Sequence, residues 1–96
     1  MVEEHKKAME RLTKAMGDFT PETLSSIYAH HPEMVQNIEK LDKVMVEDGA
    51  LDKKTKRLIA LACVATRMCD ECVYPQAKVA VNYGATKEEI LETLQV

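Results

Sequence analysis

The chain has 96 residues, 46% of them hydrophobic but only 4% aromatic, and a formal net charge of −3. That length allows one small domain that buries about two thirds of its unfolded surface, a thin margin for which self-association is a common remedy. The acidic balance, with a pI near 5.6 and Lys and Arg scattered among acids, argues against a nucleic-acid binder. No run of roughly 18 apolar residues exists to span a membrane. The opening Met1-Val2-Glu3-Glu4-His5-Lys6-Lys7 is too charged for a signal peptide, so a soluble, cytoplasmic protein is expected.

The spacing of Met9, Leu12 and Met16, with Ala8 and Ala15 beside them, predicts a first helix over residues 2–16, stopped by Gly17. Thr20 as N-cap and Pro21 at the first helical position open a second, with Leu24, Ile27, Tyr28 and His31 on one face. Pro32 disfavours helix at His31 and restarts a third, striped by Met34, Val35, Ile38, Leu41 and Met45 and ended at Gly49. Asp52 caps a fourth, running to about Arg67 with Leu58, Leu61, Ala62 and Ala65 inward.

A fifth helix opens at Cys69, carries Val73, Ala77, Ala80 and Val81, and closes at Gly84. Thr86-Lys87-Glu88-Glu89 is a capping box for a short sixth with Ile90, Leu91 and Leu94, and Ala85 and Ile90 are spaced for a hydrophobic staple. No period-2 run interrupts these stripes. The expectation is one all-α domain over residues 1–96, a bundle of six short helices without linker or repeat.

The chemistry concentrates in Arg67-Met68-Cys69-Asp70-Glu71-Cys72-Val73-Tyr74-Pro75-Gln76. On the first turn of a helix, two cysteines three positions apart close a disulfide with little backbone movement. Free N–H groups and the positive end of the dipole there favour thiolate over thiol. In a reducing cytosol such a pair is more often redox-active or metal-binding than structural. His5, His30 and His31 have no ligand spacing to the cysteines, so neither a metal nor a cofactor is expected. Cys63, in Ala62-Cys63-Val64, reads as a buried small hydrophobe that stays reduced. Pro75 falls beyond the first turn and should distort the helix.

From Gly49 to Leu94, the blocks Gly49-Ala50-Leu51-Asp52, Leu58-Ile59-Ala60-Leu61-Ala62, the cysteine helix and Gly84-Ala85-Thr86-Lys87-Glu88-Glu89-Ile90 occur in a characteristic order. This half of the chain resembles the carboxymuconolactone decarboxylase / alkylhydroperoxidase D superfamily. The resemblance implies a compact all-α fold assembled as a homotrimer or homohexamer. It also implies a thiol-dependent peroxidase or disulfide reductase, in which Cys72 attacks and Cys69 resolves. Helix-terminus logic alone would instead favour Cys69 as nucleophile.

The chain departs from the peroxidase branch at each relay position. Where that branch has a Glu twelve positions before the first cysteine, this chain has Arg57; where a His follows the second by four, it has Gln76. A further His, just before the second cysteine, is replaced by Glu71. Gln76 cannot take a proton. Arg57, if folded into the site, would stabilise a thiolate by attraction, while Asp70 and Glu71 would oppose it. Otherwise Arg57 is a solvated helix residue and Gln76 a surface amide.

Two classes of function follow. One is an oxidoreductase whose Cys69 and Cys72 cycle together, reducing a peroxide weakly or a protein disulfide, and drawing on a dithiol reductant. The other is a non-catalytic oligomeric interaction protein with a vestigial or regulatory cysteine pair. Lactone decarboxylation is disfavoured, because no His follows the pair. The first helix, with Met9, Leu12 and Met16, is the candidate surface for packing on a neighbouring subunit.

Overall fold

The computed structural model describes residues 2–96, and among them it contains six α-helices and no strand. They are α1 (Val2–Ala15), α2 (Glu22–His30), α3 (Met34–Val46), α4 (Lys53–Thr66), α5 (Asp70–Asn82) and α6 (Lys87–Gln95). Among the described residues no helix is long and apolar enough to cross a membrane. The chain divides into two compact units, Met1–Val46 and Glu47–Val96.

In the first unit α3 packs on α1 and α2. Ala8, Leu12, Met16, Leu24 and Val35 are buried there. Arg11 and Glu39 join α1 to α3 through two hydrogen bonds of 2.6 and 2.8 Å. Arg11 is exposed and Glu39 partly so, and the pair orients more than it stabilises. Leu12 is 1% exposed and Met16 4%. These two residues of the first stripe are therefore covered within a single chain, which corrects their expected place on a neighbour's surface.

Two further expectations change in this unit. Thr20 does not cap α2: its hydroxyl shares a 2.7 Å hydrogen bond with that of Thr13, and Pro21 takes the N-cap position without a side-chain bond. On α3 the core side is centred on Val35, while Leu41 is 75% exposed and Met34 is also exposed. Apolar residues on α3 span more of its circumference than α1 and α2 cover, so part of the stripe is left in solvent.

In the second unit α4 packs on both α5 and α6. The Asp52 carboxylate accepts from the Thr55 N–H at 2.7 Å, the expected N-cap. Leu61, Val79 and Ala80 are fully buried. Val81, expected inward, is 48% exposed, and Val79 occupies the core instead. Ala80 is buried as expected, so the stripe runs through Val79 and Ala80, and Val81, two residues from Val79, falls on the opposite side of the helix.

α5 ends in a Schellman motif. Gly84, at φ +99°, stands at C′; its N–H donates to Val81 O at 2.9 Å, and the Ala85 N–H donates to Ala80 O at 2.9 Å. The capping box of α6 is formed in both directions, at 3.1 Å from Glu89 N to the Thr86 hydroxyl and 2.8 Å from Thr86 N to the Glu89 carboxylate. Glu89 also holds Lys54 of α4 at 2.9 Å, tying the cap to the next helix.

Candidate thiol site

The site is built where α4 turns into α5. The Met68 N–H donates to Ala65 O at 3.0 Å and the Cys69 N–H to Val64 O at 3.3 Å, again the Schellman pattern. Here the C′ residue is Met68, at φ +57°, a conformation that costs a side-chain-bearing residue about 1–2 kcal/mol. Met68 is also 86% exposed. Sequence reasoning passed over it because the usual signal for this turn, a glycine, is missing.

Cys69 therefore ends one helix and begins the next, as C″ of α4 and N-cap of α5. Its side chain makes no capping hydrogen bond. Instead it is bonded to Cys72, at a Cα–Cα distance of 5.3 Å, across the first turn. The pair thus lies where the spacing places it, both residues half-buried. Pro75 lies inside α5, which continues through it to Asn82. The carbonyl that loses its partner is that of Glu71, on an exposed first turn where water can serve instead.

Beyond the disulfide, Cys72, Gln76, Val79 and Tyr83 follow at helical spacing and share one face of α5. Facing helix α4 contributes Arg57 and Leu61. Arg57 is only 6% exposed, so the reading as a solvated residue is overturned. Its Nη1 donates to Gln76 Oε1 at 3.1 Å, and its guanidinium carbon lies 5.9 Å from the centre of the Tyr83 ring. On the same ring sits Lys53 Nζ, 4.9 Å from its centre. Arg57 Nε is buried without a hydrogen-bond partner. Burial pushes the Tyr83 phenol above its ordinary value, and the neighbouring Arg57 charge partly opposes this.

Arg57 and Gln76 are thus brought together, as are Cys69 and Cys72. Glu71 is exposed, about 100° around the helix from Cys72, with Asp70 exposed beside it. Tyr83 is the residue that sequence reasoning missed; its signal was its place seven residues after Gln76, on the same stripe. Cys63 is a free, exposed cysteine, not a buried one. It lies two residues beyond Leu61, with the exposed Ile59, itself two residues from both Arg57 and Leu61, on the opposite side of α4. Among the described residues no group of three or more His, Cys, Asp and Glu is arranged to hold a metal ion.

A helical protein with a disulfide across the first turn of one helix, and a buried Arg–Gln contact behind it, is the class that this geometry defines. The chain belongs to the carboxymuconolactone decarboxylase family, whose model matches residues 32–96. That match begins upstream of the blocks that carried the resemblance and takes in α3. The chain is 46% identical over 56 residues to a protein of Paracoccus denitrificans, "Uncharacterized protein 4 in cox locus", covering 58% of this chain and 50% of that one. An uncharacterized protein of Methanocaldococcus jannaschii is 35% identical over 82 residues, covering 84% of this chain and 77% of its own length. A second from that organism is 38% identical over 80 residues, covering 81% and 76%. The chain therefore spans half the length of the Paracoccus protein. No solved structure matches it.

Proposed function

We propose that this protein is a thiol–disulfide oxidoreductase whose Cys69 and Cys72 alternate between disulfide and dithiol. The supporting observation is the bond between them across the first turn of α5, where helix geometry makes closure easy and the dipole favours a thiolate. A dithiol reductant supplies two electrons to the disulfide and gives up two protons, to the pair or to solvent. The reduced pair passes the electrons, with protons from itself or solvent, to a peroxide, which yields an alcohol and water, or to a protein disulfide, which yields two thiols. Peroxide reduction is weak, because neither Arg57 nor Gln76 can act as the general base. The domain takes the alkylhydroperoxidase D-like arrangement and works in the cytoplasm as a homotrimer or homohexamer. Its exposed Tyr74 and Val81 on α5 and Ile59 on α4 favour self-association.

The direct test is peroxide consumption and disulfide reduction, each driven by dithiothreitol, in the wild type, Cys69→Ser and Cys72→Ser. Turnover that disappears in both variants is expected. Equal rates in all three proteins would refute the proposal. The second reading, a non-catalytic interaction protein with a vestigial or regulatory pair, is favoured by the Arg57–Gln76 contact, since neither side chain takes up a proton. Under that reading the wild type shows no turnover with either substrate, although the pair still oxidises.

A further inference from the structure

Arg57 carries a full charge into the second unit, and among the described residues no carboxylate pairs with it. It meets a neutral amide oxygen at Gln76 and the ring and phenol of Tyr83, and its Nε is buried without a partner. A buried cation without a counter-charge is a costly arrangement unless some state of the protein supplies one. The bond to Gln76 draws the guanidinium to the face of α5 that carries Cys72. Gln76 lies one turn beyond Cys72, with Cβ atoms about 5–6 Å apart at that spacing.

We propose that Arg57, held by Gln76, is a positioning residue whose fixed charge keeps Cys72 as a thiolate once the disulfide is reduced. This rests on the oxidoreductase reading above and deepens it: the relay of proton acceptors is replaced by a permanent counter-ion. Reduction by a dithiol breaks the Cys69–Cys72 bond as two electrons pass in. The reductant is oxidised to its own disulfide, one of its protons goes to Cys69, and the other leaves to solvent. Cys72 retains the negative charge that Arg57 has lacked.

The other charges around Cys72 do not reverse this. On α5, Asp70 and Glu71 oppose a thiolate but are exposed, so water screens them, while Arg57 acts from a nearly dry position. Tyr83 stays neutral, since burial pushes its phenol up. Arg67 at the turn is exposed and screened like Asp70 and Glu71, and Lys53 stands over the Tyr83 ring. On α6, Glu89 is taken by Lys54 of α4. The helix N-terminus favours a thiolate at Cys69; in this proposal the Arg57 charge, held one turn beyond Cys72, outweighs it.

The test uses the reduced full chain, with ultraviolet thiolate absorbance followed against pH and iodoacetamide alkylation measured separately at each cysteine by mass spectrometry. In the wild type, Cys72 should ionise below the ordinary thiol value of ~8.5. Arg57→Met, which fills similar volume without charge, should move that titration up by about one unit and slow Cys72 alkylation at neutral pH about tenfold. Cys69 and Cys63 should be unaffected. Arg57→Lys should keep the low titration, which a purely structural role for Arg57 would not require. An unmoved Cys72 in folded Arg57→Met, a low-titrating Cys69 instead, or failure of Lys to substitute would each overturn the proposal.

Should Arg57→Met lose its helical signal, Gln76→Leu is read the same way. It keeps the charge but cuts the bond that positions it, and an unmoved Cys72 there counts against the proposal equally. Turnover measured in parallel separates the two readings. An Arg57-dependent thiolate without turnover removes the oxidoreductase reading alone. Turnover on thiols indifferent to Arg57 removes this proposal alone.

Discussion

Arg57 Nη1 lies 3.1 Å from Gln76 Oε1, so the two positions that the resemblance to the peroxidase branch singles out are in direct contact. The amide oxygen accepts from a guanidinium that has no carboxylate, and each residue suits the other. Substitutions at these positions must therefore be read as a pair, because residues in contact do not contribute independently.

Arg57→Glu together with Gln76→His should raise peroxide consumption by about 10²-fold, the low end of what a positioned general base supplies. Neither single change should do so. Glu alone removes the charge behind Cys72, and His alone faces a guanidinium that disfavours its protonation. Steady-state peroxide assays on the four proteins check this, and a folded double variant without gain would mean that proton transfer is not limiting.

Cys63 should be alkylated rapidly by iodoacetamide in the native, oxidised protein, without denaturant, because it is exposed. Cys69 and Cys72 should become labelled only after reduction. Peptide mass spectrometry before and after dithiothreitol reads both. A bond from Cys63 to either partner after mild oxidation would contradict the pairing.

Met68→Gly should stabilise the chain by about 0.5–1 kcal/mol. Relief of the left-handed backbone is worth about 1–2 kcal/mol, less what glycine costs in chain entropy. Met68→Ala, which keeps the Cβ, should gain nothing. Chemical denaturation of the three proteins distinguishes them.

Glu89 makes stability depend on acid. Hydrogen bonding from the Thr86 backbone, and then from Lys54, lowers its carboxyl below the ordinary value of 4.5. Its folded value lies below the unfolded one, so its contribution is present above that ordinary value and is lost as pH falls through the lowered one. Melting temperature should drop less steeply on acidification in Glu89→Gln than in the wild type. Thr86→Ala, which removes the other half of the box, should cost ~1 kcal/mol near neutrality.

The oligomer proposed above should sediment well above the 10.8 kDa of one chain at micromolar concentration. Tyr74→Glu with Val81→Glu, both on exposed positions of α5, should dissociate it with helical content retained. Leu12→Glu should instead unfold the first unit, since it places a carboxylate at a site that is 1% exposed. Dissociation by Leu12→Glu with the unit intact would restore α1 as the contact surface.

Much of this protein is decided locally and is legible in the order of its residues. Helices follow from apolar spacing. Asp52 and the Thr86–Glu89 box mark two of their starts, and Gly84 marks an end. The Cys69–Cys72 pair can close across a first turn because its members are three positions apart. Each of these depends on groups within about one turn of one another, so no tertiary information is needed.

The tertiary structure alone decided which side of each helix faces inward, and that choice reversed several readings. Cys63 is apolar enough to bury and Arg57 polar enough to expose, yet α5 packs against the Arg57–Leu61 side of α4 and leaves Cys63 outside. Val79 displaced Val81 for the same reason, and Leu12 was covered within its own chain. Burial depends on the residues brought opposite by packing, and these come from distant parts of the chain. Gln76, nineteen residues beyond Arg57, makes a buried guanidinium tolerable there, a relation that spacing along either helix does not contain.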